Sequence, residues 1–137
     1  MVVGSDFLAA PDGSPHLARF DQESRIVPLG EPVGFFEDGW VRARAAFTFQ
    51  ALAPITSLSL ELWAPPDAQP LSVTMKLSGG SEVTLTAPAG RIAVLQFPLD
   101  VPASAERTIE LVADREKRLS ERDQRHAAYK LGCIGLY

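Results

Sequence analysis

The sequence predicts an all-β protein, an antiparallel β-sandwich of jelly-roll or immunoglobulin-like topology. From residue 40 onward apolar residues fall mostly at every second position, the period of a strand with one buried face. Loops rich in proline or glycine separate these runs, namely "APPDAQP", "SGGS", "APAG" and "PLDVPAS". A single cysteine excludes the paired-cysteine framework of a true immunoglobulin domain.

Seven strands are predicted in order. The first is "WVRARAAFTF". Its odd-numbered residues from Val41 to Phe49 lie on a core face, and Trp40, Arg42 and Arg44 lie on the opposite face. Alternation recurs in "SLSLELW", "LSVTMKL", "EVTLT" and "RTIELVA", with a hairpin turn at "SGGS". "RIAVLQF" is apolar at both parities, which predicts a strand covered on both faces. "YKLGCIGLY" is the last strand, and its glycines indicate a bulge or a close backbone approach.

Two segments are less regular. Residues 1–32 lack a sustained period and form either a linker or an edge strand around "RIVPL", where Pro28 is tolerated; residues 33–137 form the sandwich domain. The segment "ADREKRLSERDQRHAAY", residues 113–129, is dense in helix formers. It predicts a short charged helical crossover before the last strand, with a solvated charged loop as the alternative.

Composition narrows the function classes. A net charge of −4 provides no attraction to nucleic acid or an anionic membrane, and no apolar run is long enough to span a bilayer. Cys133 and two distant histidines predict neither a metal site nor a cofactor. The first residues lack a secretory signal, so cytoplasmic localisation is expected. Without a nucleophile elbow, a phosphate-binding loop or an HExxH motif, we expect no enzyme activity.

Three motifs occur in a recognisable order: "GFFEDGWV" at residues 34–41, "LELWAPP" at residues 60–66, and "RDQR" followed by "KLG" before the last strand. In this order the chain resembles the β-sandwich accessory domains of bacterial glycosyltransferases and related proteins of surface-polysaccharide synthesis. The resemblance covers residues 33–137. It implies a non-catalytic module, similar to a carbohydrate-binding domain, that associates with saccharides. The chain departs from the family pattern at "REKR", which replaces apolar or proline positions after "AD".

The candidate sugar site lies at the start of the first predicted strand. An aromatic ring can stack on the C–H face of a sugar while planar polar side chains bind its hydroxyls. Trp40 supplies the ring, and Arg42, Arg44 and Asp38 supply the polar groups. The alternative is that Trp40 folds over the core edge and the arginines pair with acids on a neighbouring strand.

The charged crossover adds Arg115 and Arg125 as ligand contacts at the rim of the site, although interleaved acids could neutralise them. Trp63 has the outward parity of its strand but stands at the strand end before two prolines, so we interpret it as a lid at a corner of the core, with a stacking platform as the alternative. The expected partners are a glycan or another sugar-containing ligand, a catalytic domain of the same pathway, or a second copy in a homodimer. A structural protein-interaction or dimerisation module that binds no sugar is the alternative function.

Overall fold

The structure is a computed structural model that describes residues 24–137, and this part of the chain is all-β with no helix. The strands are β1 (Ile26–Phe35), β2 (Trp40–Ala51), β3 (Ile55–Trp63), β4 (Leu71–Leu77), β5 (Glu82–Ala87), β6 (Ile92–Val101), β7 (Glu106–Ala113), β8 (Lys117–Arg118), β9 (His126–Ala127) and β10 (Tyr129–Leu136). The all-β prediction is confirmed.

The main strands form two layers that join at a corner. They follow the order β5-β4-β7-β2-β10-β3-β6, and β1 pairs with the other edge of β2. β2 pairs along residues 44–50 with β7 but only through Trp40 and Val41 with β10. The path therefore turns at the start of β2, which leaves β1, β2, β7, β4 and β5 in one layer and β10, β3 and β6 in the other. All pairings between these strands are antiparallel.

The core lies between the two layers and uses the alternate residues that the sequence indicates. Phe47, Phe49 and Val41 of β2 face Leu60 and other inward residues of β3, all with little or no exposure. Each fully buried side chain of this size stabilises the fold by about 1.5–3 kcal/mol relative to an exposed one. The predicted alternation is confirmed in β2, β3 and β4.

β6 differs from its prediction. Its side chains alternate between buried and exposed, and Ile92 and Val94 on the outer face are 68% and 55% exposed. The expectation of a strand covered on both faces is wrong, because β6 is an edge strand that pairs only with β3 among the described strands. Apolar residues at both parities of a strand therefore do not by themselves show that both of its faces are covered.

The charged crossover is not helical. Residues 114–128 run through the short hairpin β8–β9, in which Lys117 lies opposite Ala127 and Arg118 opposite His126. The turn closes where the Ser120 N–H donates to the Asp123 carbonyl at 3.0 Å. The prediction of a helix is wrong, because the charged side chains bind partners in other parts of the chain and not each other at helical spacing.

β1 begins inside the segment 1–32 and pairs antiparallel with β2, from Ile26 opposite Ala51 to Phe35 opposite Val41. Gly34 permits this pairing, since its φ is +86° and a Cβ there would collide with the backbone of Arg44 and Ala45. The part of the predicted N-terminal segment that precedes residue 24 lies outside the described residues.

Candidate functional site

A tight turn directs the start of β2. The Phe36 N–H donates to the Trp40 carbonyl at 2.8 Å, and the Gly39 N–H donates to the Phe36 carbonyl at 3.0 Å. Gly39 has a φ of +100°, which a residue with a side chain rarely adopts. Because Val41 is fully buried, the preceding Trp40 points away from the core.

Two tryptophans from different strands meet on the outer face of the β10–β3–β6 layer. Lys130 of β10 lies opposite Trp40 on one side and opposite Trp63 on the other. The two indoles lean together over β10, with ring centroids 6.1 Å apart and planes inclined at 70°. The Lys130 Nζ lies 5.6 Å from the Trp40 ring centroid, in a cation–π contact. We call Trp40, Trp63 and Lys130 the aromatic corner.

Sequence reasoning missed two of these three residues. Trp63 is half-buried on the outer face and is not a lid over the core. Its odd position, in a strand whose even positions are leucines, had already indicated the outward direction, and the stacking-platform alternative agrees with it. Nothing in the sequence indicates that Lys130 lies between the two tryptophans, since that depends on how β10 pairs.

Arg42 and Arg44 point outward from β2, as predicted, and both bind carboxylates. Arg42 donates from Nε and Nη2 to Glu116 at 2.7 and 3.2 Å, and Arg44 donates to Glu110 on β7 at 3.0 Å. The Arg42 guanidinium lowers the pKa of the Glu116 carboxyl. The two arginine side chains remain 48% and 69% exposed, so part of each guanidinium faces solvent.

Asp38 and Arg125 are brought together. Arg125 donates to both oxygens of Asp38, at 3.2 and 2.7 Å, and also to Asp123, and its guanidinium carbon lies 4.8 Å from the Phe36 ring centroid. These hydrogen bonds lower the pKa values of both carboxyls and raise that of Arg125. The crossover is thereby tied to the turn that carries Trp40.

Arg115 lies in a separate cluster that holds the loop between β3 and β4. Its guanidinium donates to the carbonyls of Gln69 at 2.7 Å and Pro70 at 3.0 Å, and pairs with Asp67 at 3.4 Å. Lys117 binds the same carboxylate, and this hydrogen bond is the main reason why the pKa of Asp67 falls to about 2. The donors of Arg115 are therefore directed at the protein.

A small depression separates this cluster from the last strands. It is lined by Pro65, Arg115, Glu116, Lys117, Ala127 and Ala128. Its volume of about 10 Å³ admits a water molecule and excludes a sugar ring. In the aromatic corner, in contrast, both tryptophans are partly exposed and Lys130 is exposed, and no further strand of residues 24–137 covers them.

Residues 24–137 contain no group of three histidine, cysteine or acidic side chains arranged to hold a metal ion. Over the same residues, no helix is long and apolar enough to cross a membrane.

No protein-family model and no curated protein matches the chain. Among solved structures, the chain is similar to a family 35 carbohydrate-binding module from an environmental isolate, at 15% identity and a TM-score of 0.50, over 86% of this chain and 80% of the module. It is also similar to part of a family GH115 4-O-methyl-α-glucuronidase with specificity for decorated arabinogalactans, at 15% identity and a TM-score of 0.51, over 79% of this chain and 16% of the enzyme.

An exo-β-1,3-galactanase from Phanerochaete chrysosporium matches at 18% identity and a TM-score of 0.47, over 83% of this chain and 26% of the enzyme. The chain thus spans about a quarter or less of the two enzymes and most of the separate module. At this level of identity the likeness concerns architecture. The chain has the β-sandwich fold found in the family 35 carbohydrate-binding module.

Proposed function

We propose that the chain is a carbohydrate-binding module that binds a glycan at the aromatic corner without catalysing a reaction on it. The observation that carries the proposal is the meeting of two half-buried indoles on an open sheet face, with Lys130 between them. Aromatic faces of this kind can stack on the apolar C–H face of a sugar, and the contact removes apolar surface of both partners from water.

Polar contacts would come from the neighbouring outward arginines. A guanidinium has five N–H groups, and Arg42 and Arg44 use only some of them on Glu116 and Glu110. The remaining N–H groups can donate to sugar hydroxyls. Asp38 and Arg125 support the turn that carries Trp40, and Arg115 acts only indirectly, because it holds the loop that follows Trp63.

The motif order "GFFEDGWV", "LELWAPP" and "RDQR…KLG" supports the biological setting that we propose. In this setting the module is an accessory domain that works beside enzymes of bacterial surface-polysaccharide synthesis, in the cytoplasm. The absence of a cofactor, a nucleic-acid partner and a membrane partner stays a prediction.

A glycan array tests the function. Wild-type protein should bind at least one glycan, Trp40→Ala should lower that signal strongly, and Arg42→Ala should lower it less. Leu52→Ala is the matched control, because Leu52 is an exposed apolar residue beyond the opposite end of β2. An array on which wild-type protein binds nothing would contradict the proposed function.

A second candidate function is a protein-interaction module. Ile92 and Val94 are exposed side by side on the outer face of the edge strand β6, where a second copy or a catalytic domain could cover them. Sedimentation of the purified chain tests the homodimer. A dimer that Val94→Asp converts to a monomer would favour this candidate, and a monomer at all concentrations would remove the homodimer form of it.

A further inference from the structure

The outer face of the β10–β3–β6 layer carries a row of large side chains that crosses the strands. Trp40, Lys130, Trp63 and Ile92 are consecutive cross-strand neighbours in this row. Adjacent strands lie about 4.8 Å apart, so the Cα atoms of the two tryptophans are separated by about 10 Å. Their ring centroids are only 6.1 Å apart, so one ligand of more than one sugar unit can reach both rings.

The inclination of the two rings restricts the shape of that glycan. Coplanar rings suit a flat, ribbon-like chain, in which successive sugars present parallel faces. The indole planes here are inclined at 70°. Two neighbouring sugars can stack on both rings only if their own planes are turned relative to each other, as they are in a twisted chain.

Hydrogen-bonding groups flank both rings. The Lys130 ammonium lies over Trp40, and an exposed cation–π contact is weak enough for a sugar to displace. Glu61 lies two residues before Trp63 on the same face, and its carboxylate rests over Gly132, where a Cβ would come within 2.8 Å of Oε2. Because Gly132 has no side chain, the Glu61 carboxylate can lie close to the sheet and near the aromatic corner.

We propose that the aromatic corner comprises two adjacent sugar subsites, one on Trp40 and one on Trp63, and that its ligand is a linear glycan with a twisted chain. Lys130 donates to, and Glu61 accepts from, hydroxyls of the two bound sugars. This inference rests on the proposed function, because it specifies the ligand class of the same site.

Calorimetric titration with four tetrasaccharides tests the chain shape. The twisted probes are β-1,3-linked glucose and β-1,3-linked galactose, and the flat probes are β-1,4-linked glucose and β-1,4-linked mannose. We expect a twisted probe to bind at least about tenfold more tightly than either flat probe, a difference of about 1.4 kcal/mol, because only a twisted chain stacks on both rings. Equal affinities, or tighter binding of a flat probe, would overturn the inference.

Chain length and variants test the two subsites. The disaccharide of the preferred probe should bind about tenfold more tightly than its monosaccharide, and Trp63→Ala should abolish that gain. The length comparison uses wild-type protein alone, so it decides the question even if Trp63→Ala fails to fold. Equal binding of monosaccharide and disaccharide would overturn the two-subsite inference and leave sugar binding intact. Failure of every probe here overturns the inference, and failure of the whole glycan array removes the proposed function as well.

Discussion

The aromatic corner and the charged crossover, residues 113–129, both contact the start of β2 but use their side chains differently. In the crossover, Glu116, Lys117 and Arg125 each bind an oppositely charged group elsewhere in the chain. In the corner, two partly exposed indoles and an exposed ammonium group contact one another on the outer side of the sheet. The difference teaches that the densest charge in this sequence organises the fold, whereas the sparse aromatic residues form the surface at which we propose that a ligand binds.

The largest effect should come from removing the corner. In the double variant Trp40→Ala/Trp63→Ala we expect glycan binding to disappear, and the free energy of unfolding to fall by about 3 kcal/mol because two half-buried rings are lost. Urea denaturation and calorimetric titration measure the two quantities. The matched double variant Arg42→Ala/Arg44→Ala should bind more weakly than wild type and still fold. If the double tryptophan variant binds glycan as well as wild type, the aromatic corner is not the binding surface.

Acid should loosen the crossover before it affects the corner. The pKa values of Asp38, Asp67, Glu116 and Asp123 are all lowered by hydrogen bonds from arginine or lysine, that of Asp67 to about 2. A carboxyl whose pKa is lower in the folded state adds stability above its unfolded pKa of about 4, and that stability is lost as pH falls through the folded value.

The urea midpoint should therefore stay constant from about pH 7 to pH 5 and decline between about pH 4 and pH 2. The variant Asp67→Asn should show a lower midpoint at neutral pH and a shallower decline in acid. A midpoint that already falls between about pH 7 and pH 5 would show that other groups dominate.

A single carboxylate of the crossover should have a smaller effect. Glu116 accepts hydrogen bonds from Arg42 and from the Ala43 N–H at 2.8 Å. Glu116→Gln keeps the shape and removes the charge, so we expect a loss of about 1 kcal/mol or less after solvent screening. Urea denaturation measures this loss, and the tryptophan fluorescence of the folded protein should not change. Glu121→Gln, in the same segment and without an ion pair among the described residues, should leave stability unchanged.

The smallest effect concerns the junction of the two regions. Tyr129 is the first residue of β10, and its buried hydroxyl has no hydrogen-bond partner within residues 24–137. The same burial raises the pKa of its phenol. Tyr129→Phe removes an unsatisfied polar group, so the free energy of unfolding should be unchanged or rise by up to about 1 kcal/mol. A fall in thermal denaturation temperature would show that the hydroxyl has a partner.

Local pattern was sufficient for the buried faces of β2, β3 and β4, and insufficient for the outer face of β6 and for the segment before the last strand. The alternation in β2, β3 and β4 reports which face of each strand is buried, and that depends only on neighbouring residues. The helix predicted for residues 113–129 rested on intrinsic propensity. Contacts to Arg42, Asp67 and Asp38 override that propensity, and their sequence separation hides them from a local analysis.

By itself, the sequence determined the all-β class, the inward residues and the outward direction of Trp40, Arg42 and Arg44, because strand period and turn chemistry are local properties. Only the tertiary structure decided which outward side chains meet. It placed Lys130 between Trp40 and Trp63. It also paired Arg42 with Glu116 and Arg44 with Glu110. The physical reason is that strand order and register, which set these distances, arise from the packing of the whole sandwich.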